Sequence, residues 1–460
     1  MGNKKNAWLK FDYTKKEEIF SFCEGYKKYI SDCKTERESI KEAISLAESK
    51  GYRDLKNVIS AGKSLKAGDK VYYNNMDKSL ALFLIGSESI ESGMRIIGSH
   101  VDSPRLDLKP NPLYEDSELS LMETHYYGGV KKYQWVTIPL ALHGVVVKKD
   151  GTKIDVVVGE EETDPVVMVS DLLVHLASEQ QQKKATEVIA GEDLNILVGS
   201  MPLEGEEKEA VKANILKLLK EKYDFEEEDF MSAEIEIVPA GKARDLGLDR
   251  SMVAGYGHDD RICAYTSLLA LLETESVKKT SVVLLVDKEE VGSIGATGMQ
   301  SRFFENAVAE LMDRVGEYSE LKLRRALANS KMLSSDVTAA FDPNYAGAYE
   351  KKNSAFFGKG LAFAKYTGAR GKSGCNDANA EFVAWLRNVM DENDVAYQMA
   401  ELGKVDQGGG GTIAYILAEY GMEVIDCGVA LQNMHAPWEV ASKVDIFETM
   451  RGYKAFLMAE

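Results

Sequence analysis

The sequence predicts an α/β protein with a β-rich module inserted into it. Three observations lead there. Helix-period and strand-like segments alternate over the first hundred residues and again from residue 255. The stretch between has a different texture, with strand-like runs separated by turn residues. Short apolar runs such as ALFLIG at 81–86 and SVVLLV at 281–286 have the length of buried strands and are too short to span a bilayer. The expected division is one α/β domain from residues 1–105 and 253–460, with residues 106–252 forming the insert.

Helical apolar spacing runs over residues 17–33 and again over 36–52, the second segment closing at Gly51. KVYYNNM, SLALFLIG and MRIIGSHVD then read as strands. In the insert, TIPLALHGVVVKKDGTKIDVVVG reads as a hairpin turning at Lys-Asp-Gly, followed by a charged helix at about 205–222. Beyond residue 255, RICAYTSLLALLETE reads as a helix, SVVLLVDKEEVG as a strand and SRFFENAVAELMDRVGEY as a helix. KMLSSDVTAAF and MEVIDCGVAL read as strands, TIAYILAEYG and the last seventeen residues as helices. No repeat or low-complexity tract interrupts the pattern.

Composition places the chain among ordinary globular proteins, with 45% hydrophobic and 28% charged residues in 460. The net charge of −18 argues against a nucleic-acid partner, which needs a positive footprint. The opening MGNKKNAWLKFDY has no apolar stretch behind its lysines, and Asn6 stands where a myristoylation signal wants Ser or Thr. Five scattered cysteines without a CxxC read as reduced thiols of a cytoplasmic protein, with no membrane segment.

Chemistry is carried by a few residues at strand ends. His100 and Asp102, in IIGSHVDSPRL, lie just past an apolar strand, where sites form in open α/β sheets. The H-x-D spacing lets Asp102 hold the ring nitrogen that His100 does not offer to a ligand. Asp259 and Asp260 open a helix in GYGHDDR, where one carboxylate can cap the helix while the other turns to a metal. Glu289 and Glu290 follow SVVLLV directly, and neighbours on an extended segment point to opposite sides, so one can bind a metal while the other handles protons. The ordinary alternative there is a solvated acidic turn. Gly292, Gly295 and Gly298 follow without a Rossmann or Walker spacing, which excludes a nucleotide loop. Asp336 and His435 each come after further apolar strands. Two histidines and three carboxylates suffice for two divalent cations if one carboxylate bridges them, and mixed nitrogen and oxygen donors suit zinc, with cobalt or manganese as alternatives.

GSHVDSPRLDLKPNP, GHDDR, DKEEVGSIGATG, SSDVTAAFDPNY and NMHAPWE, in that order, resemble the M18 family of metallo-aminopeptidases, the aspartyl aminopeptidase group. The resemblance runs along nearly the whole chain. It implies a zinc-exopeptidase-like α/β/α catalytic domain, an inserted dimerisation domain and a homo-oligomer of dimers assembled into a tetrahedral dodecamer. It implies hydrolysis of the N-terminal residue from peptides with a free amino terminus. His100 and Asp336 would hold one metal ion, Glu290 and His435 the other, and Asp259 would bridge them. Glu289 would be the general base and Asp102 would orient His100. VSDLLVHLASEQ resembles the segment that supplies a histidine to a neighbouring subunit, which places that role at His175. Two departures stand out: Ala339 and Asp342 replace histidines expected after Asp336, and the loop VDQGGGGT at 405–412 is richer in glycine. An extra carboxylate near the pocket disfavours an acidic substrate, so a neutral or broad specificity is expected. The rival readings are a deacylase of N-acyl amino acids and a non-catalytic binding protein on a peptidase scaffold. The presence of Glu289 and every proposed ligand argues against the second.

Overall fold

A computed structural model describes residues 5–460. The reading of the extreme N-terminus lies partly outside them. The described chain forms two compact units, one of residues 5–102, 243–434 and 439–460, the other of residues 103–242 and 435–438. The chain returns to the first unit at residue 243 instead of 253. The strands Arg244–Leu246 and Met252–Gly255 pair with each other, and the second pairs with Glu439–Ser442 of that unit.

The first unit is built on a sheet of nine described strands, four of them parallel at its centre: Ser281–Val286, Arg95–His100, Lys331–Ser335 and Glu423–Gly428. Strand side chains alternate between faces, so a strand covered on both sides must be apolar throughout. Ile97, Val283, Leu285, Leu333 and Ile425 meet the helices Glu36–Ser49, His258–Leu272, Ala380–Glu392 and Lys443–Met458. Ile96, Val282, Leu284, Met332 and Val424 meet Leu55–Ser60, Phe303–Arg314, Glu320–Ala328 and Ala414–Ala418. Each such side chain contributes about 1.5–3 kcal/mol by leaving water.

Local signals explain the helix ends. Glu36–Ser49 starts at a capping box, with Thr35 and Glu38 each bonding the other's backbone. It stops before Gly51, whose φ of 84° a side chain would strain. The helix expected over TIAYILAEYG shrinks to Ala414–Ala418, and His100, expected just past its apolar strand, is the last residue of that strand.

A second sheet of the first unit joins Arg244–Leu246, Met252–Gly255, Glu439–Ser442, Ala430–Gln432 and Thr338–Ala339. Its register sets Gly255 opposite Glu439. The two sheets thus lead into the segments at 259, 289, 336 and 439.

The second unit holds an antiparallel sheet of seven described strands. Its hairpin Leu140–Val147 and Lys153–Val158 turns at Gly151, with a φ of 88°. The helix expected from about 205 begins at Ala210. Residues 171–176 are irregular rather than a helix or strand face, and Leu172, Leu173, Val174 and Leu176 are exposed with His175. All five cysteines are free thiols. Among the described residues no helix is long and apolar enough to cross a membrane.

Candidate metal centre

His100 ends its parallel strand with its ring buried. Its Nε2 lies 3.2 Å from Asp259 Oδ1, 3.8 Å from Asp336 Oδ1 and 3.9 Å from Glu289 Oε2. On the other side Nδ1 meets the backbone carbonyl of Asp102 at 2.9 Å. The Asp102 carboxylate stands further off, at 3.4 Å. It accepts the backbone N–H groups of Glu289 and Glu290, each at 3.2 Å. Asp102 therefore serves the ring through its carbonyl and, at longer range, its carboxylate, and the same carboxylate holds the glutamate turn.

The glutamates sit on a tight turn, not on an extended segment. Glu289–Val291 is a single 3-10 turn entered through left-handed Lys288 and left through left-handed Gly292. Parallel-strand register brings its root beside His100, since Val286 lies opposite that residue. Asp336 follows Lys331–Ser335 and donates its backbone N–H to Cys427 at 2.8 Å.

Neither Asp259 nor Asp260 caps the helix His258–Leu272. Both aspartates have non-helical backbone angles that kink the segment before the regular helix, and the Asp260 oxygens take no backbone N–H. Asp259 donates its N–H to Glu439 Oε2 at 3.1 Å, a tie that follows from the pairing of Gly255 with Glu439. Behind it, His258 is buried with its Nδ1 2.6 Å from the Tyr26 hydroxyl, and burial pulls its pKa down to about 3, so the ring is neutral.

Two sets of ligand atoms lie within 4.8 Å of one another: His100, Asp259 and Glu290, and His100, Asp260 and Asp336. Asp260 is the residue that sequence reasoning did not assign as a ligand. Its only signal was that it adjoins Asp259. Neither of its oxygens takes a hydrogen bond beyond what the Cys263 thiol offers, although the side chain is fully buried. Neither set contains His435 or His175, which fold with the second unit. There His435 Nδ1 bonds the Gly129 carbonyl at 3.0 Å.

The electrostatics are those of crowded acids. Burial pushes the Glu289 carboxyl up to about 8; the positive pull of His100 opposes this, while Asp336, Asp102 and Asp259 add to it. Burial, then the charge of Asp336, raises Asp260 well above the carboxylate range. Burial alone would keep the His100 ring neutral, but the carboxylates of Asp102, Asp259 and Asp336 outweigh it and raise its pKa. One imidazole among buried carboxylates, with Asp260 bare of ordinary donors, fits divalent cations that take nitrogen and oxygen ligands.

The family described as "Aminopeptidase I zinc metalloprotease (M18)" matches residues 29–457. The chain is 66% identical over 454 residues to a "Probable M18 family aminopeptidase 1" of Clostridium acetobutylicum, covering 98% of each. The crystal structure of aminopeptidase I from that organism superposes with a TM-score of 0.93 at 65% identity, over 99% of both chains. The M18 aminopeptidase structure from Thermotoga maritima superposes with a TM-score of 0.95 at 45% identity, again over 99% of both.

Proposed function

The chain belongs to the M18 family and is a metal-dependent aminopeptidase, and we propose that it works with two divalent cations, Glu289 as general base and Asp259 as the bridging ligand. The observation that carries this reading is His100 Nε2 at 3.2 Å from Asp259, with Asp336 and Glu289 within 3.9 Å of the same atom. His100 and Asp336 would hold one cation, Glu290 and His435 the other. Zinc is the proposed metal, with cobalt and manganese as substitutes.

The cations, when bound, supply an acidified water and a polarised scissile carbonyl. Glu289 would take a proton from the attacking water and deliver it to the departing amine. The Asp102 carboxylate keeps the Glu289 backbone from moving as the proton is exchanged. Glu439 does the same for Asp259 through its backbone N–H.

The substrate is a peptide with a free amino terminus, and the preferred first residue is neutral or broadly chosen. Asp342 bears on this less directly than its charge suggests, because its carboxylate is engaged in accepting the Asn344 N–H at 2.8 Å. The insert is proposed to pair subunits of a cytoplasmic homo-oligomer, with dimers building a tetrahedral dodecamer. His175 is proposed to reach a neighbour's site and stabilise the developing oxyanion. Its exposure, with four apolar neighbours, supports a segment that another chain covers.

A chelator followed by zinc, cobalt or manganese, assayed on a panel of aminoacyl anilides and their N-acetyl counterparts, tests the proposal. Activity should vanish with the chelator, return with a metal and require the free amino group. Metal-independent turnover, or preference for the acetylated compounds, would overturn it.

A further inference from the structure

The turn bearing Glu289 and Glu290 is one end of a loop whose two roots, Asp287 and Thr297, meet inside the protein. Asp287 is fully buried and Thr297 nearly so. Thr297 Oγ1 donates to Asp287 Oδ2 at 2.6 Å, and the Lys288 N–H donates to Oδ1 at 2.8 Å. The backbones also bridge, Asp287 to Gly298 in parallel sense. The far root is tied to the neighbouring hairpin: the Ser79 hydroxyl donates to the Thr297 carbonyl, and Asn75 Nδ2 to the Ala296 carbonyl at 2.9 Å.

Between these roots the chain passes through left-handed Lys288, Gly292, Ser293 and Gly295, and exposes Val291 and Ile294. Such a segment has little core of its own to hold it. Glu289 stands only two residues from Asp287, so the closure of the roots sets its position at the near side. A buried carboxylate is costly to leave without donors. The Thr297 hydroxyl is the side-chain donor that Asp287 receives. Proton transfer demands placement of the base within about 0.5 Å, and displacement by about 1 Å can cost ~10²-fold in rate.

We infer that Asp287 and Thr297 form a clamp that positions Glu289 for proton transfer. The inference rests on the reading of Glu289 as the base. Thr297 is a positioning residue, acting on Glu289 through its bond to Asp287.

The test uses the full-length, zinc-loaded protein. Thr297→Val removes the hydroxyl and keeps the branched shape, while Thr297→Ser keeps the hydroxyl. Thr297→Val should lose about 10- to 100-fold in kcat on an aminoacyl anilide with KM within twofold and zinc content unchanged. Thr297→Ser should stay near wild type. Backbone amides of the peptide spanning 288–296 should exchange with deuterium faster in the metal-free Thr297→Val protein, and not in Thr297→Ser. If Thr297→Val does not fold, Thr297→Ala is held to the same expectations. Glu289→Gln is measured alongside. An active Glu289→Gln sinks the base assignment, and this inference with it. An inactive Glu289→Gln beside a Thr297→Val with wild-type kcat sinks the clamp alone. A loss that follows zinc content or KM also overturns it.

Discussion

Replacing Asp102 by alanine removes an acceptor that serves two backbone amides at once. The carboxylate is buried and takes the N–H groups of Glu289 and Glu290 at 3.2 Å each. Hydrogen bonds to a charged group are worth about 1.5–3 kcal/mol, and at this length the lower figure applies to each, so about 3 kcal/mol is at stake. Against that, the substitution removes a negative charge that crowds Glu289. At most about 3 kcal/mol of local order should therefore be lost. The His100 ring is affected less, because its nearer partner is the Asp102 carbonyl at 2.9 Å, which alanine retains. The expected signature is asymmetric. In Asp102→Ala, kcat on an aminoacyl anilide should fall ~10²-fold, as for a misplaced base. Zinc affinity, measured by competition with a fluorescent chelator, should fall about tenfold, at the mild end for a residue that supports metal ligands. Asp102→Asn, which keeps one oxygen acceptor, should fall between Asp102→Ala and wild type. The reasoning fails if Asp102→Ala keeps kcat per bound zinc and loses ~10²-fold in zinc affinity, since that pattern puts its role on the imidazole.

Further outcomes follow from the same geometry. Asp259→Ala should bind fewer than two metal ions per chain by elemental analysis; an unchanged stoichiometry of two would show that it does not bridge. Mixing Glu289→Gln chains with His175→Ala chains should restore part of the activity of two otherwise inactive proteins, and proven mixed oligomers with no activity would rule out a role across subunits. Burial pushes Asp445 up to about 7, although it accepts the Gly358 and Gly360 N–H groups at 2.7 Å. A carboxyl whose folded pKa is raised stabilises the protein below the unfolded value near 4, and that contribution is lost as pH rises towards 7. The urea midpoint of the metal-free protein should accordingly fall between pH 5 and pH 8, and fall less in Asp445→Asn; an identical slope in the two proteins would contradict this.

Much of the site was legible because its residues stand at the ends of apolar runs. SVVLLV and MRIIGSH announce strands, and the parallel register of those strands then sets Val286 beside His100. Continuous apolar runs such as SVVLLV were equally legible as buried strands, and the sheet they form is covered on both faces. What could not be read depends on partners remote in the chain. Glu439 meets the Asp259 N–H across 180 positions, through a strand pairing that no local pattern reveals. Asp102 was expected to serve His100; that its carboxylate also takes two amides of a sharp 3-10 turn at Glu289 depends on a segment 187 positions away. Asp260 looked like a capping residue because Asp before a helix often is. The chain kinks at Asp259 and Asp260, and the second carboxylate takes no backbone N–H and lies buried among acids. LLVHL has the composition of a packed helix or strand, yet residues 171–176 are irregular and exposed, which composition alone does not distinguish.

The central claim is that Glu289 moves the proton while other residues hold the metal. Glu289→Gln keeps the size of the side chain and its backbone N–H bond to Asp102. The most direct measurement is its single-turnover rate on an aminoacyl anilide together with metal content per chain. The account predicts two bound metal ions, as in the unaltered protein, and a rate lower by about 10²–10⁴-fold. A rate within tenfold of the unaltered protein at full metal occupancy would contradict it.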